Sequence, residues 1–217
     1  AWGVWGNDKK RGFWKQFREF VKDPSSLVRA EAVEQSRGYV KKHQRHLWQG
    51  LQAASQDADP DVRLAASYFL TKEYMPEFSK TTWKVIYKLL QDPSYDIRRN
   101  ALRGIGQQST WPNYIWQMLP GLLTDQETAH AALQSLSGKK LPIEIWNLIP
   151  QLIANADGTP STMQLLSMTL SPRKQWPVEV ILAVEAYLKK FPLKRNAYEF
   201  GDYQRLEYVA KELRRSP

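Results

Sequence analysis

The sequence predicts an all-α protein, a solenoid of about six helical hairpins, and three observations carry that prediction. The stretch WKVIYKLLQDPSYDIRRNAL, from Trp83 to Leu102, reads as two helices and a turn. Trp83, Ile86, Leu89 and Leu90 fall on one apolar face at helical spacing, and Ile97, Ala101, Leu102 and Ile105 on another. Tryptophans at Trp14, Trp48, Trp83, Trp116 and Trp146 and aspartates at Asp23, Asp57, Asp92, Asp125 and Asp157 recur in phase, at steps of 30–35 residues. One hairpin cannot bury both of its apolar faces, so the copies must stack on one another.

Residues 1–12, AWGVWGNDKKRG, precede the first copy and read as an irregular arm. Trp2 and Trp5 there either cover the open apolar end of the array or anchor a partner. The first hairpin pairs a helix over 12–22 with one over 25–40, and the second pairs 44–56 with 60–73. The third pairs 81–91 with 94–107, the fourth 112–123 with 126–137, and the fifth 142–154 with 160–170. Aspartate is a good N-cap and proline suits the first helical position, so Asp92-Pro93 is expected to open a second helix. Gly138 is expected to cap the fourth hairpin. Pro172 and Pro177 break the chain before an apolar helix over 177–190. A helix over 202–215, apolar on one face and charged on the other, closes the array. With no low-complexity tract in sight, residues 13–217 are expected to form a single domain.

Asp-Pro, then Val or Ile followed by Arg, then Ala three residues later, resembles the HEAT repeat. The pattern is carried by Asp23, Pro24, Val28, Arg29 and Ala32; by Asp57, Val62, Arg63 and Ala66; and by Asp92, Pro93, Ile97, Arg98 and Ala101. It is strong over 13–107 and fades from 108, where Ala129 stands in place of the arginine. The resemblance implies a right-handed superhelical solenoid. It also implies a ladder between neighbouring repeats, built from Asp23, Arg29, Asp57, Arg63, Asp92 and Arg98. It says little about function, because one fold serves many tasks.

A net charge of +9 and an isoelectric point near 9.6 favour acidic partners: nucleic acid, an anionic surface or an acidic protein face. The absence of cysteine excludes disulfides, a thiol nucleophile and thiolate metal sites. Together with the start at Ala1 rather than Met, it tilts the expected compartment towards an extracytoplasmic one. No apolar run is long enough to span a membrane.

The recurring tryptophans read as packing positions, which leaves Trp2, Trp5 and Trp111 as candidate contact residues. Turns inside hairpins are acidic, and loops between them are mostly basic. Helix dipoles explain only half of that pattern, because the lysines also precede first helices, where positive charge is unfavourable. Lys41, Lys42, Arg45, Lys139, Lys140, Arg173 and Lys174 are therefore candidate partner-binding residues on a basic edge. His43 and His46 share a helical spacing but sit among cations that repel a metal. The SGKK at 137–140 lacks the rest of a phosphate loop, and no paired carboxylates suggest acid–base chemistry. No catalytic residue, cofactor or metal is expected. The function expected is a non-enzymatic protein-binding scaffold or a subunit of a larger assembly, with a partner of acidic surface. The alternative is a nucleic-acid-binding solenoid. Its least favoured form resembles the HEAT-like alkylpurine DNA glycosylases, whose catalytic Asp has no recognisable counterpart here.

Overall fold

The computed structural model describes residues 16–36, 44–69, 77–156, 164, 166–167, 169–170, 176–192 and 200–215, and among these every regular element is helical. The arm over 1–12 lies outside them. The chain divides into two compact units, Ala1–Gln108 and Ser109–Pro217. The division falls where the Arg-and-Ala register of the sequence stops.

In the first unit, helical residues 16–20 precede α1 (Ser26–Ser36), α2 (Gln44–Ala54), α3 (Pro60–Tyr68), α4 (Lys80–Leu89) and α5 (Tyr95–Gly106). Second helices pack on second helices, α1 on α3 and α3 on α5, while α2 packs on α4. The faces that the sequence marks as apolar supply the core: Val62, Ile86, Leu89, Ile97, Leu102 and Ile105 are all buried. Gly50 on α2 leaves room for the buried Phe17 ring, and a Cβ at that position would overlap the ring carbons. A buried polar contact links two second helices, with Asn100 Nδ2 donating to Ser67 Oγ at 2.9 Å.

The turn aspartates work differently from the expected N-caps. Ser94 holds the N-cap position of α5 and Asp59 that of α3. Asp23, Asp57 and Asp92 sit earlier, each accepting the backbone N–H two residues on, from Ser25, Asp59 and Ser94 at 2.8–2.9 Å. This is an Asx turn, which fixes the chain reversal and leaves carboxylate oxygen available to a second donor.

The second unit contains α6 (Asn113–Thr124), α7 (Ala129–Ser135), α8 (Ile143–Ala154), α9 (Val178–Lys190) and α10 (Phe200–Arg215). α8 packs on α6 and α9, α6 also on α7, and α9 also on α10. The helix expected over 126–137 occupies only Ala129–Ser135. Asp125 Oδ1 accepts the N–H groups of Glu127 and Thr128, which holds those residues in a turn. Gly138 adopts φ 70°, a left-handed conformation that glycine takes without strain.

Prolines open the first helices of this unit. Pro112, Pro142 and Pro177 are the N-caps of α6, α8 and α9. Pro120 and Pro150, 30 residues apart, lie inside α6 and α8. Each removes the donor that would close a bond to the carbonyl four residues earlier.

Candidate functional site

The ladder residues are engaged within the first unit. Arg29 Nε and Nη2 donate to Asp57 Oδ2 and Oδ1 at 2.7 and 2.8 Å, and Arg29 Nη1 donates to the carbonyls of Asp23 and Pro24. Arg63 repeats this one hairpin on. Its Nε reaches Asp92 Oδ2 at 2.6 Å, and its Nη1 donates to the carbonyls of Asp57 and Ala58. Arg98 Nη1 holds its own turn in the same way, through the carbonyls of Asp92 and Pro93. Each arginine therefore closes its own turn, and Arg29 and Arg63 also reach forward to the next. Two parallel N–H···O bonds to one carboxylate are a geometry that arginine fits and lysine does not. The Arg29 hydrogen bond holds the Asp57 carboxyl below its ordinary range, and the same pair raises Arg29. Asp59 is lowered too, chiefly by a hydrogen bond from Ser26.

Trp111 is not an exposed contact residue. It is 8% exposed and stacks on Trp116 with ring centroids 4.5 Å apart. The cause is the position of the helix start. With Pro112 as N-cap, Trp111 precedes the cap and Trp116 is the fourth helical residue, the arrangement of a hydrophobic staple. Phe78 and Trp83 do the same around Ser79 in the first unit, edge to face at 5.2 Å. Leu141, before the Pro142 cap, is likewise buried. Trp48, Trp83 and Trp176 are buried, whereas Trp116 and Trp146 are half-buried under the staple positions.

Of the basic edge, Lys139 and Lys140 are described. Lys139 is half-buried with Nζ 5.9 Å from the centre of the Trp111 ring, and burial lowers its pKa. Lys140 is exposed. Trp2, Trp5, Lys41, Lys42, Arg173 and Lys174 lie outside the described residues, and for Arg45 only the backbone is described. His43 is also outside them, and His130 is exposed. Among the described residues no group of three or more His, Asp or Glu is arranged to hold a metal ion. No described helix is long and apolar enough to cross a membrane.

Sequence reasoning missed a row of exposed apolar side chains at the starts of the first helices in the second unit. Ile143 is 61% exposed and Val178 64%, each the first residue of its helix, on the packed pair α8 and α9. Leu182, one turn on from Val178, is 48% exposed. Tyr114, second in α6, is also exposed, and desolvation raises its pKa. The available signal was the recurrence of an apolar residue directly after Pro142 and Pro177, shortly after basic pairs.

No protein-family model and no curated protein matches the chain. Among solved structures, it is similar to the crystal structure of an engineered protein from the Northeast Structural Genomics Consortium. The TM-score is 0.62 at 16% identity, over 92% of this chain and 96% of that one. At that identity the likeness shows a fold and carries no function.

Proposed function

We propose that the chain is a HEAT-like, right-handed solenoid of about six hairpins, and that it is a non-enzymatic scaffold or assembly subunit which binds a protein. The observation that carries this reading is the row of Ile143, Val178 and Leu182. Aliphatic side chains this exposed, on neighbouring helices and in equivalent positions, fit the apolar centre of a protein interface. The exposed Lys140, three residues before Ile143 in the chain, and the overall charge of +9 fit a partner with an acidic rim. The repeated Arg–Asp links and the stacking of like helices within the first unit support the repeat reading.

The test replaces Ile143 and Val178 by Asp together. Both are exposed, so the variant is expected to melt near the wild-type temperature. A protein that cross-links to peptides from 141–147 and 176–182 of the wild type should then be lost. Separately, Lys139 and Lys140 become Ala, and duplex and single-stranded DNA binding is read at two salt concentrations. Tight binding that falls steeply with salt, with a slope shallower by about 0.9 for each duplex phosphate that the variant no longer neutralises, would establish the nucleic-acid reading instead.

A further inference from the structure

Lys80, Lys84 and Lys88 form a row along the exposed face of α4. All three are exposed, and among the described residues none of them makes a hydrogen bond or an ion pair. Each step of the row is about 6 Å along the helix, so the row is about 12 Å long. Like charges four residues apart repel, and Lys80, first in the helix, also opposes the helix dipole. No acid relieves them: α4 contains none, and neither does α2 packed beside it. Glu77 lies before the Ser79 cap, and Asp92, beyond the far end, is buried and held by Arg63.

The fold does not require this charge. Trp48, Trp83, Trp116 and Trp146 mark equivalent places on α2, α4, α6 and α8. One and five residues after the tryptophan, α4 has Lys84 and Lys88. The same places hold Gln49 and Ala53 on α2, Gln117 and Gly121 on α6, and Asn147 and Gln151 on α8, every one exposed. Helices of this chain therefore meet water there without charge, and α4 carries its lysines against its own stability.

The surroundings select the ligand. Among the described side chains of α2 and α4, the exposed ones other than the lysines are Gln49, Gln52 and Ala53, while Trp48 and Trp83 are buried and Tyr87 is half-buried. A protein interface needs an apolar centre and is depleted in lysine. An anionic bilayer is a plane, whereas this charge is confined to one line. Exposed pairs of lysine with a carboxylate contribute little. Nucleic acid differs, because it carries condensed counterions, and each phosphate that a lysine neutralises releases them. Along about 12 Å, one strand of a duplex presents about three to four phosphates. With no exposed aromatic face for unstacked bases, the row suits a duplex better than a single strand.

We propose that Lys80, Lys84 and Lys88 are a binding strip for the phosphate backbone of duplex nucleic acid, engaged without regard to base sequence. The strip lies in the first unit and does not depend on a protein partner at Ile143 and Val178.

Fluorescence anisotropy of a labelled 20-base-pair mixed-sequence DNA, titrated with the full chain between 50 and 200 mM salt, is the experiment. Three phosphates neutralised give a slope of about 2.7 in log affinity against log salt, so the strip's contribution falls about fortyfold over that range. Lys80→Gln with Lys84→Gln and Lys88→Gln should make the slope shallower by about 2.7, and the three changes to Arg should keep it. The Gln variant should melt at or above the wild-type temperature, because it removes repulsion. Lys140→Gln with Lys189→Gln and Lys190→Gln removes the same net charge from other exposed positions and should leave most of the slope in place. A wild type that does not bind at 50 mM salt overturns the proposal, as does a slope equal in the wild type and the folded Gln variant. Equal losses in the two Gln variants would assign the binding to overall charge and overturn it too. Vesicles with 30% phosphatidylserine and polyglutamate stand in for a membrane and an acidic protein. Either one displacing the duplex at equal charge concentration overturns the choice of ligand.

Discussion

In the first unit, Arg29 and Arg63 each join two hairpins through a two-pronged grip on a carboxylate. In the second, Ala129 occupies the corresponding position, and the helix starts are held by proline caps and by Trp111 on Trp116. Buried side-chain bonds add to this: Thr128 Oγ1 donates to the Leu122 carbonyl at 2.7 Å, and Trp176 Nε1 to the Leu170 carbonyl at 3.0 Å. Both units stack amphipathic helices. What differs is charge: the first unit joins successive hairpins through Arg–Asp pairs, whereas the described links in the second are apolar packing and uncharged hydrogen bonds, such as Thr169 Oγ1 donating to the Leu133 carbonyl at 3.3 Å. The two should therefore respond differently to truncation, acid and salt.

The largest effect is expected at Trp111. Trp111→Ala empties a buried indole site and removes the ring that packs on Trp116 and lies 5.9 Å from Lys139 Nζ. Truncating a buried aromatic costs about 3–5 kcal/mol. Chemical denaturation should report that loss, and hydrogen exchange should place it in 109–154, with 80–106 still protected. Equal loss of protection in both stretches would break the distinction between the units.

Next comes the ladder. Arg63→Ala leaves Asp92, 6% exposed, without its charged partner, at a cost of about 1–3 kcal/mol. Arg63→Lys should recover little of it, since an ammonium cannot reproduce both the carboxylate bonds and the grip on the turn carbonyls. A melting temperature unchanged in both variants would remove the ladder from the account of stability.

Acid should separate the units through Asp57, with a smaller effect. Its pKa is lowered in the folded state by the Arg29 hydrogen bond. The linked stability is fully present above the unfolded carboxylate pKa, about 3.9, and is lost as pH falls through the lower folded value. Asp57→Asn should flatten that acid limb in the first unit and leave the second unchanged. Stability profiles of wild type and variant between pH 5 and 2 give the comparison, and parallel profiles would contradict the assignment.

The sequence displays the first unit's hairpins plainly because two constraints coincide there. Turn aspartates and ladder arginines need fixed spacings, and the apolar faces between them need helical ones. In the second unit the turn aspartates Asp125 and Asp157 continue but Ala129 replaces the arginine, and a single residue of boundary then decides a role. Counting Pro112 as the first helical residue leaves Trp111 in a loop; as the N-cap it places Trp111 in a staple. The exposed row at Ile143 and Val178 was hidden for a related reason. Periodicity marks which residues share a face but not where a neighbouring helix stops covering it.

The smallest effect tests whether burial, rather than the presence of an ion pair, is what sets the first unit apart. The second unit has an ion pair of its own on α10, with Lys211 Nζ 2.8 Å from Glu207 Oε1 and side chains 62% and 42% exposed. The distance is close to that of Arg63 and Asp92, at 2.6 Å with exposures of 15% and 4%. Distance alone would make the two pairs similar in worth. Solvent makes them different, because water competes for both partners on α10 and their long side chains lose freedom when they pair. Exposed pairs four residues apart on a helix contribute about 0.3–0.5 kcal/mol. Glu207→Gln should therefore cost no more than that in low salt. At 1 M salt the screening length falls to about 3 Å, and the difference from wild type should vanish. The Arg63→Ala loss should persist at 1 M salt, since ions cannot enter between a guanidinium and a carboxylate that the neighbouring turns cover. Denaturation of the two variants at both salt concentrations makes the comparison. A Glu207→Gln loss as large as that of Arg63→Ala, or an Arg63→Ala loss that salt abolishes, would show that the two units are held by ion pairs of one kind.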